Sequence, residues 1–119
     1  MDQNEKLGLI VKTLDKKKAD SIQVIKISDL TIIADYFVIA GGGSSTQTRT
    51  LAEEVEYQMS QKGVEPLRKE GYGGSEWVIL DYGDIVVHVF YKDTRQFYKL
   101  ESNWADGEQI DISEYLVKE

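Results

Sequence analysis

Two closely spaced apolar runs, residues 77–80 and 85–91, constrain the fold of this chain more than any other feature. Both runs are rich in valine and isoleucine, which is typical of β-strands. The link between them contains Gly83, which can take a positive φ at no steric cost, so the segment is predicted to form a β-hairpin. The second run is apolar on both faces, and we therefore expect it to lie in the middle of a sheet with layers packed above and below it.

The remaining apolar pattern predicts one α/β domain built on a mixed β-sheet of about five strands flanked by helices. The predicted strands are residues 21–27, 35–40, 64–70, 77–80 and 85–91. The predicted helices are residues 4–17, 46–62, 94–100 and, as a single turn, 113–117. Pro66 and the charged residues around it place the strand at 64–70 near a sheet edge. We interpret residues 1–119 as a single domain, with a core at about 4–106 and an acidic tail at 107–119.

The composition narrows the possible partners. The formal net charge is -7, with 21 carboxylates against 14 bases, which opposes binding to phosphate-rich DNA or RNA and favours a basic protein. The chain has no cysteine and one histidine, so neither a disulfide framework nor a zinc site is expected, and no cofactor is predicted. No signal peptide or membrane span is apparent, which predicts a cytoplasmic protein without a membrane partner.

The first predicted helix ends in a run of three lysines, Lys16, Lys17 and Lys18. Such a run is either an anion-binding patch or a solvated helix end. Lysines at this place complement the negative pole of the helix dipole, and charge runs of this length usually have no partner. We interpret the run as a solvated helix end.

The glycine-rich junction at residues 41–45 has the form of a phosphate cradle, because it joins a strand to the start of a helix. It is similar to the Gly-Ser element of nucleotidyltransferases, and it defines the alternative function, a nucleotide-binding or nucleotidyl-transferring enzyme. Those enzymes also need paired carboxylates on the next strand to hold magnesium. The strand at 64–70 has no such pair, and Asp81 and Asp84 lie at a turn, where acids commonly form local hydrogen bonds.

His88 lies within an apolar run, and the sequence identifies no acid or nucleophile beside it. It is interpreted as a core or partner-facing imidazole, and the chain is predicted not to be an enzyme. Aromatic side chains are concentrated in the C-terminal half. Tryptophan, tyrosine and arginine dominate binding hot spots, so an uncovered sheet face that carries them would bind a protein. Composition leaves open which of these rings face a partner and which fill the core.

Four segments of the chain resemble one known family. They are D-Y-F-V-I-A at 35–40, the segment from Ser44 and Ser45 to Arg49, W-V-I-L-D-Y-G-D-I-V-V-H-V-F at 77–90, and R-Q-F-Y-K-L-E-S-N-W-A-D at 95–106. They look like the ribosomal silencing factor family, also called Iojap-like or RsfS, over about residues 7–106. The resemblance implies a nucleotidyltransferase-like topology without the catalytic carboxylates. It also implies a bacterial factor that binds a protein on the joining face of the large ribosomal subunit, blocks association with the small subunit and lowers translation when nutrients are short.

The contact residues are predicted from chemistry, because the resemblance does not assign them. Trp77 and Tyr91 are expected to be apolar anchors, with charged side chains setting the register at the rim. The predicted partner-binding residues are Trp77, His88, Tyr91, Lys92, Asp93, Arg95 and Tyr98. Some of them must belong to the core, because one strand cannot show both faces to a partner. Arg49 is expected to pair with a nearby carboxylate. An apolar face kept for a partner also predicts a weak homodimer.

Overall fold

The computed structural model describes residues 1–74, 76–91, 102–104 and 106–116. Within them the chain forms six strands, two α-helices and one 3-10 turn. The strands are β1 Ser21–Lys26, β2 Tyr36–Gly42, β3 Arg68–Glu70, β4 Trp77–Asp81, β5 Ile85–Tyr91 and β6 Glu108–Gln109. The helices are α1 Gln3–Lys16 and α2 Ser45–Gln61, and the 3-10 turn is Ser113–Tyr115. None of the described helices is both long and apolar enough to cross a membrane.

The strands form one mixed sheet in the order β3-β4-β5-β2-β1-β6. The β2–β5 pair is parallel and the other four pairs are antiparallel. The predicted mixed α/β sheet is confirmed, and β5 lies in its interior between β4 and β2 as expected. The sixth strand, β6, was not predicted, because its two exposed residues carry no apolar alternation.

The predicted hairpin joins β4 to β5. Gly83 has a φ of 91°, and its N–H donates to the Asp81 carboxylate at 2.8 Å, which is the local bond expected of a turn acid. Asp84 has a different role from the one predicted. Its carboxylate accepts hydrogen bonds from Lys6 and Gln3, so it ties the hairpin to the start of α1.

Both helices pack on one face of the sheet. The predicted stripes are confirmed, since their residues are all buried together with the inward side chains of β5. They are Leu7, Ile10, Val11 and Leu14 of α1, and Leu51, Ala52, Val55 and Met59 of α2. Burying each of these side chains other than Ala52 contributes about 1.5–3 kcal/mol. This face therefore holds the main core.

The opposite face of the sheet carries a second, smaller apolar cluster, called here the second face. Its buried members include Ile25, Phe37, Ile39, Val86 and Phe90, and Trp104 packs against them. Strand β5 is thus buried on both sides, as its sequence predicted. The predicted helix at 94–100 lies outside the described residues.

The ends of the two helices share one hydrogen-bonded motif. In each, one N–H beyond the helix donates to the carbonyl three residues back, and the next N–H donates to the carbonyl five residues back. This Schellman arrangement places one residue in the left-handed region. At the end of α2 that residue is Gly63, with a φ of 77°, as the sequence predicted, whereas at the end of α1 it is Lys18, with a φ of 62°.

The C-terminal segment returns to the first helix and the edge of the sheet. Strand β6 pairs with β1, and the N–H of Ile110 donates to the carbonyl of Val24 at 2.9 Å. The Tyr115 ring lies directly over Gly8, where an added Cβ would be 3.1 Å from Cε1 of the ring. The helical turn predicted at 113–117 is present as the shorter 3-10 turn.

Candidate functional site

An aromatic cluster of Trp77, His88, Phe90, Phe37 and Trp104 lies on the second face. The indole of Trp77 stacks on Phe90 with ring centroids 5.1 Å apart, and its Nε1–H donates to Nδ1 of His88 at 3.1 Å. Phe37 meets His88 and Trp104 edge-to-face at 4.6 and 5.0 Å. Stacked and edge-to-face contacts of this kind add to the stability that burial supplies. The cluster therefore holds the Trp77 ring in a defined orientation.

His88 is neutral in this setting. Burial lowers its pKa from 6.5 to about 4, and the nearby Asp81 carboxylate only partly opposes that effect. Because the indole of Trp77 can only donate, Nδ1 of His88 must be the acceptor, and Nε2 carries the proton. Nε2 is buried and has no hydrogen-bond partner within the part of the chain that the structure describes. His88 is thus a fixed acceptor for Trp77.

The cluster reaches the surface beside the edge strand β3. Trp77 and Ile79 are only partly buried, and Ile79 lies opposite Glu70 of β3. The guanidinium of Arg68 is 3.9 Å from the carboxylates of both Glu70 and Asp81, at the long limit for an ion pair. We call Trp77, Ile79, Arg68 and Glu70 the Trp77 edge. It combines a pre-oriented indole and an aliphatic side chain with charges on an adjacent strand, as binding hot spots do.

The structure brings together only part of the predicted site. Trp77 and His88 share one face and one hydrogen bond, but Tyr91 follows Phe90 on β5, so strand alternation directs it to the opposite face. The two predicted anchors, Trp77 and Tyr91, are therefore separated by the sheet. His88 is only 5% exposed, so its role in the candidate site is to hold Trp77 through their hydrogen bond. The other four predicted residues, Lys92, Asp93, Arg95 and Tyr98, lie outside the described residues.

Sequence reasoning missed an apolar loop between β1 and β2. Leu30, Ile32 and Ile33 are 48%, 104% and 67% exposed, although all three are large aliphatic side chains. Backbone bonds to the carbonyl of Ile27 hold the loop in a tight turn. Adjacent exposed aliphatics of this kind mark interaction surfaces. The sequence signal for this loop was the pair Ile32 and Ile33, which lies just before the predicted strand at 35–40.

The glycine-rich junction is occupied by the protein's own side chains. Ser44 is the N-cap of α2 and accepts the N–H of Gln47 at 3.0 Å, while the N–H of Gly43 donates to the side chain of Gln47 at 2.6 Å. The Gln47 side chain also donates to the carbonyl of Lys18 at 3.1 Å, so it ties the end of α1 to the start of α2. A Cβ on Gly42 would lie 2.7 Å from Oγ1 of Thr48, so this glycine permits close strand–helix packing. The junction thus has an internal structural role.

Another prediction concerns the charged side chain of Arg49. Arg49 pairs with Glu53 one helical turn later, with 2.8 Å between Nε and Oε1, and the expected pairing is confirmed. Within the described residues, no three histidine, aspartate or glutamate side chains are grouped closely enough to hold a metal ion.

Comparison with known proteins places these features in a family. The family model described as "Ribosomal silencing factor during starvation" matches residues 1–119. A ribosomal silencing factor RsfS from Halalkalibacterium halodurans is 38% identical over 112 residues, which are 94% of this chain and 96% of that protein. A more distant mouse protein is named for mitochondrial assembly of the ribosomal large subunit. It is 31% identical over 105 residues, covering 83% of this chain and 45% of its own length.

Solved structures agree with the architecture. A crystal structure of a protein from Bacillus halodurans superposes with a TM-score of 0.83 at 36% sequence identity. The match covers 92% of this chain and 99% of that chain. The fold described above is therefore also the fold of an experimentally determined relative.

Proposed function

Because this chain belongs to the ribosomal silencing factor family, we propose that it binds the large ribosomal subunit through a basic ribosomal protein. In that position it sterically blocks association with the small subunit and so represses translation under nutrient limitation. It acts in the cytoplasm, by occupying a surface and without chemistry of its own. The observation that carries the proposal is the Trp77 edge, where an aromatic anchor is already fixed before any partner arrives.

Pre-orientation of Trp77 supports this role. A side chain that is already held by His88 and Phe90 loses little further freedom when a partner covers it, so more of the contact energy appears as affinity. Truncating such an anchor commonly costs about 2 kcal/mol or more of binding free energy. Arg68 and Glu70 are exposed on the adjacent strand and can form the polar rim.

Charge supports a basic protein as the first contact. The net charge of -7 attracts a basic surface over distances of about 10 Å at 0.1 M salt. The name of the mouse relative refers to the large ribosomal subunit, which is consistent with a partner on that subunit. Steric exclusion needs no catalytic group, only a stable position on the joining face.

The test is co-sedimentation of the chain with isolated large and small subunits. We expect binding to the large subunit alone, and we expect Trp77→Ala to weaken it by about thirtyfold, the equivalent of about 2 kcal/mol. Tyr57→Ala is the matched control, because Tyr57 is an exposed aromatic on α2 and should leave binding unchanged. Circular dichroism must show that both variants are folded. Equal binding by a folded Trp77→Ala variant would contradict the role of the Trp77 edge.

The enzymatic alternative makes an opposite prediction. A nucleotide would have to displace Gln47 from the N–H of Gly43 and from the carbonyl of Lys18 before it could occupy the glycine-rich junction. We therefore expect titration with a nucleotide and magnesium to give no saturable binding in the micromolar range. Saturable binding at that level would favour the alternative.

The free chain is also proposed to self-associate weakly. The exposed aliphatics Leu30, Ile32 and Ile33 offer apolar surface that a second copy could cover in the absence of the ribosome. Analytical ultracentrifugation over a range of concentrations should show a shift toward dimer. A strict monomer at high concentration would refute this part of the proposal.

A further inference from the structure

Four exposed lysines follow one another along the C-terminal half of α1 and just beyond it. They are Lys12, Lys16, Lys17 and Lys18, called here the lysine strip. Among the described residues, none of the four has a carboxylate within ion-pair distance, whereas Lys6, Arg49 and Lys69 each have one. Within the part of the chain that the structure describes, the strip is therefore a run of cations without ion-pair partners.

The strip reverses the charge of the rest of the molecule. Four lysines and Asp15 give residues 12–18 a net charge of +3. Since the whole chain has a net charge of -7, the remaining residues carry a net charge of -10. At physiological salt a charge is screened within about 8 Å, so a ligand on the strip responds mainly to the local cations. The overall acidity that disfavours nucleic-acid binding elsewhere does not exclude it at this place.

A groove between the two helices borders the strip. One wall is α1, with Lys12, Lys16 and Lys17 above the partly buried Leu9, and the other wall is α2. The α2 wall contributes Glu54 and Gln58, and the Gln58 amide donates to the Glu54 carboxylate at 3.1 Å. The lysines therefore outnumber the single carboxylate of the groove, which is itself hydrogen-bonded. An extended anion can lie along the α1 wall of the groove, beside the lysines.

Helix termination explains only part of the strip. Lys16 and Lys17 offset the negative end of the helix dipole, but Lys12 lies a full turn earlier and repels Lys16 on the same face. Lys18 adopts the left-handed conformation that favours glycine, and the equivalent place at the end of α2 is occupied by Gly63. The strained backbone at Lys18 is the observation that suggests a use for its side chain.

We propose that the lysine strip binds the phosphate backbone of RNA in the large ribosomal subunit; this inference rests on the proposed function. Ser21, Gly41, Phe90 and Trp77 form one row across the sheet, and Lys18 lies three residues before Ser21. The strip and Trp77 thus lie at the same end of the sheet but in opposite layers. The chain can contact a ribosomal protein through Trp77 and neighbouring RNA through the strip. Contiguous lysines on one helix suit the repeating charge of a nucleic acid backbone.

The test compares two charge-matched double variants on intact large subunits. Lys16→Gln with Lys17→Gln removes two charges from the strip, and Lys26→Gln with Lys62→Gln removes two charges elsewhere that also have no ion pair among the described residues. The strip variant should bind roughly tenfold more weakly at about 0.1 M salt. Its slope of log affinity against log salt should be shallower by about 1.4–1.8, because each of the two lost phosphate contacts contributes about 0.7–0.9. The control variant should change affinity by less than about twofold.

A second arm uses the isolated ribosomal protein that the chain captures. The strip variant should bind that protein as tightly as the unmodified chain does, since the strip contacts RNA. Equal affinity and equal salt slope of the two double variants on intact subunits would overturn the inference, and so would a loss of affinity for the isolated protein. If the unmodified chain fails to bind large subunits at all, the proposed function itself fails. Thermal unfolding of both variants must match that of the unmodified chain.

Discussion

Lowering the pH from 7 to 5 should destabilise the folded chain through one side chain, His88. Its burial beside Phe37, Phe90 and Trp77 lowers its pKa from 6.5 to about 4. Between these values the unfolded chain binds a proton that the folded chain does not, so stability falls as the pH drops below 6.5, and the loss is complete near pH 4. One pKa unit corresponds to about 1.4 kcal/mol, and the linkage gives a loss of about 2 kcal/mol between pH 7 and pH 5.

The assay is urea unfolding followed by circular dichroism at several pH values between 5 and 7.5. His88 is the only histidine, and no other side chain with an ordinary pKa changes charge strongly in this range. The control variant His88→Asn keeps an acceptor for the Trp77 indole and does not titrate, so it should lose less than about 0.5 kcal/mol over the same range. A free energy of unfolding that stays constant over this pH range in the unmodified chain would contradict the conclusion that His88 is buried and neutral. An equal loss in the variant would assign the effect to other groups.

Two pairs of backbone positions give further predictions, each measured as the free energy of unfolding in denaturant. Lys18→Gly should stabilise the chain by about 1 kcal/mol, and Gly63→Lys should destabilise it by a similar amount, because both positions require a left-handed φ. Changes of the same sign in the two variants would contradict this reasoning. Gly71→Ala should cost more than about 2 kcal/mol, because its Cβ would collide with the backbone carbonyl of Trp77, whereas Gly73→Ala has open space and should be nearly neutral. Equal effects of the two alanines would show that β4 adjusts freely.

The sequence was most informative where periodicity was strong. Burial of the stripe on α1 and the interior place of β5 follow from spacing alone, since a helix buries every third or fourth residue and a fully apolar strand needs cover on both sides. The left-handed Gly63 followed from its position after an apolar helical stripe. Residue spacing and the conformational preference of glycine were sufficient to predict these features.

The candidate site depended on strand register, which the sequence did not resolve. Alternation along β5 places Phe90 and Tyr91 on opposite faces, but only the register of β4 shows that Trp77 lies opposite Phe90 and diagonal to His88. A slip of one residue would have moved Trp77 to the other face and beside Tyr91. The sequence predicted the hairpin but not its register, so the hydrogen bond between Trp77 and His88 could not be predicted.

The strain at Lys18 was equally inaccessible from sequence. The lysine run looked like an ordinary helix end, and only the backbone shows that one lysine occupies a position suited to glycine. The exposure of Ile32 and Ile33 also required the structure, because the pair could have been the start of a longer buried strand. Both features depend on where a regular element stops, and patterns define element ends less sharply than element centres.

Subunit joining in the presence of the chain tests the central claim most directly. Purified large subunits would be incubated with the chain, small subunits and magnesium would be added, and the yield of joined ribosomes would be measured on sucrose gradients. We predict a yield that falls as the concentration of the chain rises, with a weaker effect for Trp77→Ala. An undiminished yield when the large subunits are saturated with the chain would contradict the account.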